Sequence, residues 1–216
     1  MMKFSCEKAL LQSAIAVTSR AVAQKSSIPA LEGLLIHADQ QLTISGYNMQ
    51  TGIRTNVFAN VVEGGDIVLN ARLFGDIIRR MPDDMITFTA DEKMMVHVSC
   101  GDADFDILGL SAADYPDLPE VEDEYAVSMQ QKVLRSMIEE VAFAVSTNES
   151  RPVHTGALFE IADMSLSMVA VDGFRLAFRR EKLEKLEANV IEWILFFFSE
   201  FAKYPFTKFH KKAIKR

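Results

Sequence analysis

Nowhere in the 216 residues is there an apolar run near the ~20 that a helix needs to cross a bilayer. Helical membrane proteins are therefore excluded as a class. Cysteine is scarce: Cys6 and Cys100 stand far apart, with no Cys-x-x-Cys pair and no metal-ligand spacing. That usage excludes a disulfide scaffold and suits a reducing compartment. The opening residues, Met1-Met2-Lys3-Phe4-Ser5-Cys6-Glu7, contain no apolar signal-peptide region, so the expected location is the cytoplasm. GxSxG, the Walker loop and GxGxxG are all missing, and the Gly-Gly at 64–65 reads as a hairpin turn.

Clustered metal ligands are missing as well. His37, His97, His154 and His210 show neither HxH nor HxxxH spacing. Asp102, Asp104 and Asp106 alternate, but a calcium loop continuing from them would need glycine and a carboxylate where Ile107 and Ala113 stand. They read as the solvated face of a strand. Glu139-Glu140 falls on the polar side of a helix and reads as solvated too. The sequence offers no positive case for an enzyme and implies no catalytic residue, metal or cofactor.

Hydrophobic residues at 49% and charged ones at 25% are ordinary for a chain that buries a core. The length allows one large domain or two of about 100 residues. Charge is uneven: the net is −7, yet residues 190–216 hold six Lys/Arg against two Glu, a net +4, leaving −11 on residues 1–189. A body this acidic repels nucleic acid on average, so any DNA contact needs a local basic surface.

The chain repeats itself once. Phe4, Leu10-Leu11, Ile15 and Pro29 match Val127, Val133-Leu134, Ile138 and Pro152 at one offset of 123 residues, as Gly33 matches Gly156. Ala38-Asp39 matches Ala162-Asp163 after one insertion. Each copy reads as a short strand, a helix with an apolar face, a proline loop and a set of strands. The first copy continues through a strand at 66–70, a helix at 71–81 and three further strands to residue 110. Residues 111–124, rich in Pro and Asp, read as a domain linker. Beyond residue 190 the counterpart of that continuation is not recognisable, and the second copy is expected to be incomplete.

The basic residues are more informative. Arg72, Arg79 and Arg80 against Asp76 give the 71–81 helix a +2 balance within an acidic body. Lys25 lies in a polar loop, and Lys132 and Arg135 fall on the exposed side of the second-copy helix. Cations on helices suit phosphate contacts that carry affinity without sequence choice.

Four segments carry a family resemblance: Pro29-Ala30-Leu31 with Gly33-Leu34-Leu35-Ile36, Asn70-Ala71-Arg72-Leu73-Phe74 through Pro82, Ala113-Asp114-Tyr115-Pro116-Asp117-Leu118-Pro119, and Val169-Ala170-Val171-Asp172-Gly173-Phe174-Arg175-Leu176-Ala177. Over about 1–189 the chain resembles bacterial DNA polymerase III β subunits, the sliding clamps. The resemblance implies an α+β fold of tandem DNA-clamp domains, with antiparallel sheets outside and helices on the inner face. It implies a non-catalytic processivity factor: a homodimeric ring that slides on double-stranded DNA without base readout and tethers polymerase and clamp-loader subunits at the nucleoid. Lys25, Arg79, Arg80, Lys132, Arg135, Thr147 and Asn148 would face DNA. Arg151, His154, Val171, Gly173, Phe174, Arg175 and Leu176 would form half of a pocket for partner peptides. Positions 171 and 174 are commonly Thr and His in the family and 154 commonly apolar, so Val171 and Phe174 keep the wall apolar while His154 reduces the fit.

The expected division is 1–119 for clamp domain 1, 120–189 for a partial clamp domain 2 and 190–216 for a divergent tail. That tail holds the only Trp and six of the fifteen Phe. The family's third domain has no counterpart in these residues, so ring closure is not expected. Two alternatives stay open: a clamp fragment without clamp function whose tail contacts membrane surfaces or proteins, and an enzyme using Asp104 and Asp106.

Overall fold

The computed structural model describes residues 1–119, 127–148, 150–183, 185–186 and 192–197. The chain divides into two compact units, Met1–Pro119 and Glu120–Arg216. Their hydrophobic residues form separate clusters, and the core is not a single undivided one.

In the first unit, β1 (Met2–Glu7) leads into α1 (Lys8–Thr18); β2 (Gly33–Ala38), β3 (Leu42–Tyr47), β4 (Gly52–Val57), β5 (Asn60–Glu63) and β6 (Gly65–Asn70) follow. After α2 (Ala71–Arg80) come β7 (Met85–Ala90), β8 (Met95–Cys100) and β9 (Ala103–Leu108). The strands form two antiparallel sheets, ordered β5-β1-β7-β8-β9 and β4-β3-β2-β6. Period-two alternation buries Met2, Phe4 and Cys6 from β1, while the 3.6-residue period buries Leu11, Ala14 and Ile15 from α1. Phe88 joins the layers: its ring stacks on Phe4 at 4.5 Å and meets Phe74 of α2 edge-on at 6.3 Å. Asn70 starts α2 sharply, because its side chain accepts a hydrogen bond from the Leu73 amide at 3.0 Å. The helix then turns Ala71, Phe74 and Ile78 inward and Arg72, Arg79 and Arg80 to solvent.

Two local readings need correction. Gly64-Gly65 is not a hairpin turn, because β5 pairs with β1 and β6 with β2, so the chain changes sheet there. A Cβ on Gly64 would lie 2.8 Å from the Ala38 carbonyl oxygen, and the crossing needs that close approach. Residues 111–119 are not a free linker either. Leu110 bridges to Val68, and Tyr115 is buried with Ala30, Leu31, Tyr47 and Val68 in a small core on the far side of the β4-β3-β2-β6 sheet. Residues 120–124, the rest of the expected linker, lie outside the described residues.

The second unit contains β10 (Val127–Ser128), α3 (Gln131–Ala142), β11 (Gly156–Ala162), β12 (Ser165–Val171), β13 (Leu176–Lys182), β14 (Lys185–Leu186) and β15 (Glu192–Phe197). It repeats the first half of the first unit strand for strand. Its β13-β12-β11-β15 sheet matches β4-β3-β2-β6, and β10 pairs with β14 as β1 pairs with β5. Strand β15 corrects the reading of 190–216 as divergent throughout, since it pairs with β11 from Gly156↔Phe197 to Ile161↔Glu192, in the place β6 takes beside β2. Its aromatic composition hid that role, because its sequence shares little with Gly65–Asn70. The expected boundary at 189–190 and the rest of the tail, 198–216, lie outside the described residues.

Phe88→Ala removes a ring touching two layers at full burial and is expected to lower the unfolding free energy of the first unit by about 3–5 kcal/mol in urea titrations. Alkaline pH gives a second check. Burial, with a smaller push from the Glu7 charge, raises the Cys6 thiol to about 12, and burial likewise raises the Tyr115 phenol to about 12. Both keep their protons in the folded chain after the unfolded chain has lost them. Stability is therefore expected to fall as pH rises, from about 9 for Cys6 and about 10 for Tyr115 up to about 12. Urea midpoints that stay level between about pH 8 and pH 11 would contradict it.

Candidate functional site

The candidate DNA-facing residues sit on helices or in the loops beside them. Lys25 is exposed between the short 3-10 turns Ser19–Ala21 and Pro29–Glu32, and Arg79 and Arg80 are exposed in the last turn of α2. Cations there also complement the negative end of the helix dipole. Arg79 is tied to Asp76 one turn back at 2.5 Å, whereas Arg72 and Arg80 form no ion pair among the described residues. The exposed side of α1 carries Ala9, Leu10, Ser13 and Ala16, so this helix presents no cation of its own. Its one lysine, Lys8, is buried and bonds Asp83 at 2.7 Å.

In the second unit, α3 buries Met137, Ile138 and Val141 and exposes Lys132 and Arg135. Arg135 pairs with Glu139 at 2.8 Å. Lys132 lines a groove of about 320 Å³ with Gln130, Val133, Ser136, Arg179 and Glu181. Arg179, a cation that helical periodicity cannot reveal because it lies on β13, reaches Glu140 of α3 at 3.4 Å and also pairs with Glu181. Thr147 and Asn148 are exposed beyond α3, in a loop closed by the Ser146 amide donating to the His154 carbonyl at 2.8 Å. Asn148 shapes the loop: its side chain accepts from the Ser150 amide, and its carbonyl from the Arg151 amide.

The candidate pocket residues come from two segments. Val171, Gly173, Phe174, Arg175 and Leu176 surround the turn from β12 to β13. Arg151 and His154 belong to the Pro152–Thr155 turn that opens β11. The β11–β12 register, Leu158 opposite Val169, carries both turns to one end of the sheet. Among the described residues, no hydrogen bond or ion pair joins the two segments. The 172–175 turn is tightly built. Asp172 accepts from the Phe174 and Arg175 amides at 3.0 and 3.1 Å and from the Arg175 guanidinium at 2.7 Å. These bonds, the Phe174 amide first, hold the Asp172 carboxyl below its ordinary range. Gly173 takes φ +94°, and Phe174 is projected wholly into solvent beside the exposed Leu176. Arg175 also lies over the exposed Phe143 ring, 5.7 Å from its centre, a partnership across 32 positions that no local motif signals. Among the described residues, no group of three or more His, Cys, Asp or Glu could hold a metal ion.

The family model for the DNA polymerase III beta subunit, N-terminal domain, matches residues 2–119, and that for the central domain matches residues 128–196. The chain belongs to this family. Among its relatives, a beta sliding clamp of Halalkalibacterium halodurans is 35% identical over 178 residues, which is 77% of this chain and 46% of that protein. A beta sliding clamp of Bacillus subtilis is 29% identical over 192 residues, 85% of this chain and 51% of that protein. The crystal structure of the Bacillus subtilis sliding clamp superposes with TM-score 0.84 and 28% identity, covering 90% of this chain and 53% of that one. The beta subunit from the DNA polymerase of Streptococcus pyogenes gives 0.81 and 30%, covering 89% and 53%. The chain spans about half the length of the curated relatives it matches. Its architecture is the α+β fold of the sliding clamps, and the central-domain match takes in β15 up to residue 196.

Because a Cβ on Gly173 would meet nothing within 4 Å, only its backbone conformation resists substitution. Gly173→Ala is expected to cost about 1 kcal/mol in the second unit's unfolding free energy and to leave the first unit unchanged.

Proposed function

We propose that this chain works as the N-terminal and central part of a beta sliding clamp: a non-catalytic, sequence-independent DNA-binding element of the replication machinery, active in the cytoplasm on nucleoid DNA. Membership of the family carries the reading. The charge pattern supports it, since exposed arginines cluster on α2 within a strongly acidic body. Weak contacts between such cations and phosphates suit movement along a duplex, because each exchanges one phosphate for the next without reading a base.

The partner half of the proposal rests on the β12–β13 turn. Phe174, Leu176 and Val171 offer an apolar wall, and the Asp172 bonds fix its geometry before a partner arrives. Preformed apolar seats of this kind take short peptides at low ordering cost. The proposed occupants are peptide segments of polymerase and clamp-loader subunits.

The test is binding to a duplex of mixed sequence across a salt series. The affinity is expected to fall linearly on logarithmic axes and to be the same for unrelated sequences. Arg79→Glu with Arg80→Glu is expected to weaken binding and flatten that slope by about 0.9 for each phosphate the variant no longer neutralises. An unchanged slope would remove α2 from the interface.

A further inference from the structure

The turn from β12 to β13 has a twin in the first unit, and the two differ in what surrounds the same backbone. Asn48 accepts the Gln50 and Thr51 amides at 3.0 and 2.7 Å, and its own amide donates to the Thr51 carbonyl. Asp172 repeats each of these bonds with Phe174 and Arg175. The helix ends correspond as well. Ala21 and Ala144 are both 0% exposed and stand 123 positions apart, which sets Phe143 against Arg20. The second unit thus has Arg175 where the first has Thr51, and an aromatic ring where the first has Arg20. The first turn closes without that pair, so the fold does not demand it.

Core packing does not account for Phe143 either. It caps the C-terminal end of α3 between Ala142 and Ala144, which pack on the core of the second unit, while Phe143 itself is 58% exposed. What its ring meets is the Arg175 guanidinium, 5.7 Å from the ring centre. Arg175 is held on two sides. Its Nε donates to Asp172 Oδ2 at 2.7 Å along one edge, the ring supports one face, and the side chain stays 57% exposed. Among the described residues, neither terminal amino group of Arg175 donates a hydrogen bond. Those N–H groups form a planar fork with its donors unspent.

We propose that Phe143 is a positioning residue for partner binding: its ring holds the Arg175 guanidinium beside the apolar wall, so that the terminal N–H groups already face an acceptor oxygen of the incoming peptide. The inference rests on the partner reading of Val171, Phe174 and Leu176. An arginine fixed before the encounter loses less side-chain freedom on binding. A ring face attracts the cation without occupying any N–H, whereas a second carboxylate would consume the donors.

The test is fluorescence anisotropy of the full chain with a fluorescein-labelled Gly-Leu-Asp-Leu-Leu-Gly peptide, which offers apolar anchors and acceptor oxygens. Phe143→Leu keeps apolar bulk without a ring face and is expected to weaken binding about two- to fivefold, while Phe143→Tyr keeps the affinity. In an Arg175→Met chain, Phe143→Leu is expected to weaken binding no further, a coupling that a merely structural role would not produce. A second readout needs no peptide. The Arg175 Nε–H proton resonance, shielded by the ring face, is expected to move downfield in Phe143→Leu and to stay in place in Phe143→Tyr. Equal binding by Phe143→Leu, or an equal loss in both backgrounds, would overturn the positioning role and leave the peptide seat standing. No binding by the unsubstituted chain would overturn the partner reading and this inference with it.

Discussion

A four-stranded sheet with two apolar faces must be covered twice. β3 makes the demand visible: Leu42 and Ile44 point into the main core, Ser45 and Tyr47 point the other way, and all four are buried. The helices satisfy one face. The other is closed by the segment after β9, which runs back over the sheet and places Tyr115 on it. The order of elements follows from this requirement. The first unit ends where that apolar face is sealed, at Pro119, inside the stretch 111–124 that composition reads as a linker.

Much of this was legible because it is local. Alternation marked the strands, the helical period marked α1, α2 and α3, and one constant offset exposed the duplication. The structure adds that the repeat extends to hydrogen-bond register: Phe4 faces Val61 as Val127 faces Leu186. The turns after β3 and β12 match as well. Asn48 and Asp172 each accept two amides, and Met49 and Gly173 both take positive φ, at +71° and +94°. Only one of those residues is glycine, so a search for turn glycines finds half of the pair. What sequence could not show was pairing between distant segments. β5 and β6 are separated by a single residue and yet join different sheets, and Phe143 meets Arg175 only because α3 packs against β13. Composition misled at β15 for a related reason. A strand that fills a sheet edge needs backbone groups and a suitable length, and Glu192–Phe197 supplies both with quite different side chains.

The site residues divide along the same line. Identity could be carried over from family motifs, but availability depends on neighbours. Arg79 and Arg135 spend part of their charge on Asp76 and Glu139, each on its own helix, and such exposed pairs are worth a few tenths of a kcal/mol at most. A phosphate can therefore displace either carboxylate cheaply. A cation held this loosely by its own helix is well placed to exchange partners repeatedly, which tight burial would prevent.

The same reasoning separates the two kinds of contact proposed for this chain. On the proposed reading phosphate contacts are weak and interchangeable, and the helix cations are exposed, with Arg79 and Arg135 paired to carboxylates on their own helices. An apolar anchor gains from being held still, and the β12–β13 turn is fixed by three bonds to one carboxylate plus a ring beneath its arginine. Asp172 stays ionised below the ordinary carboxylate range because the turn donates to it, so mild acid leaves that geometry in place. On the proposed reading, exposed helix cations serve the exchange of phosphates and the locked β12–β13 turn serves the presentation of apolar surface, and both come from one duplicated fold.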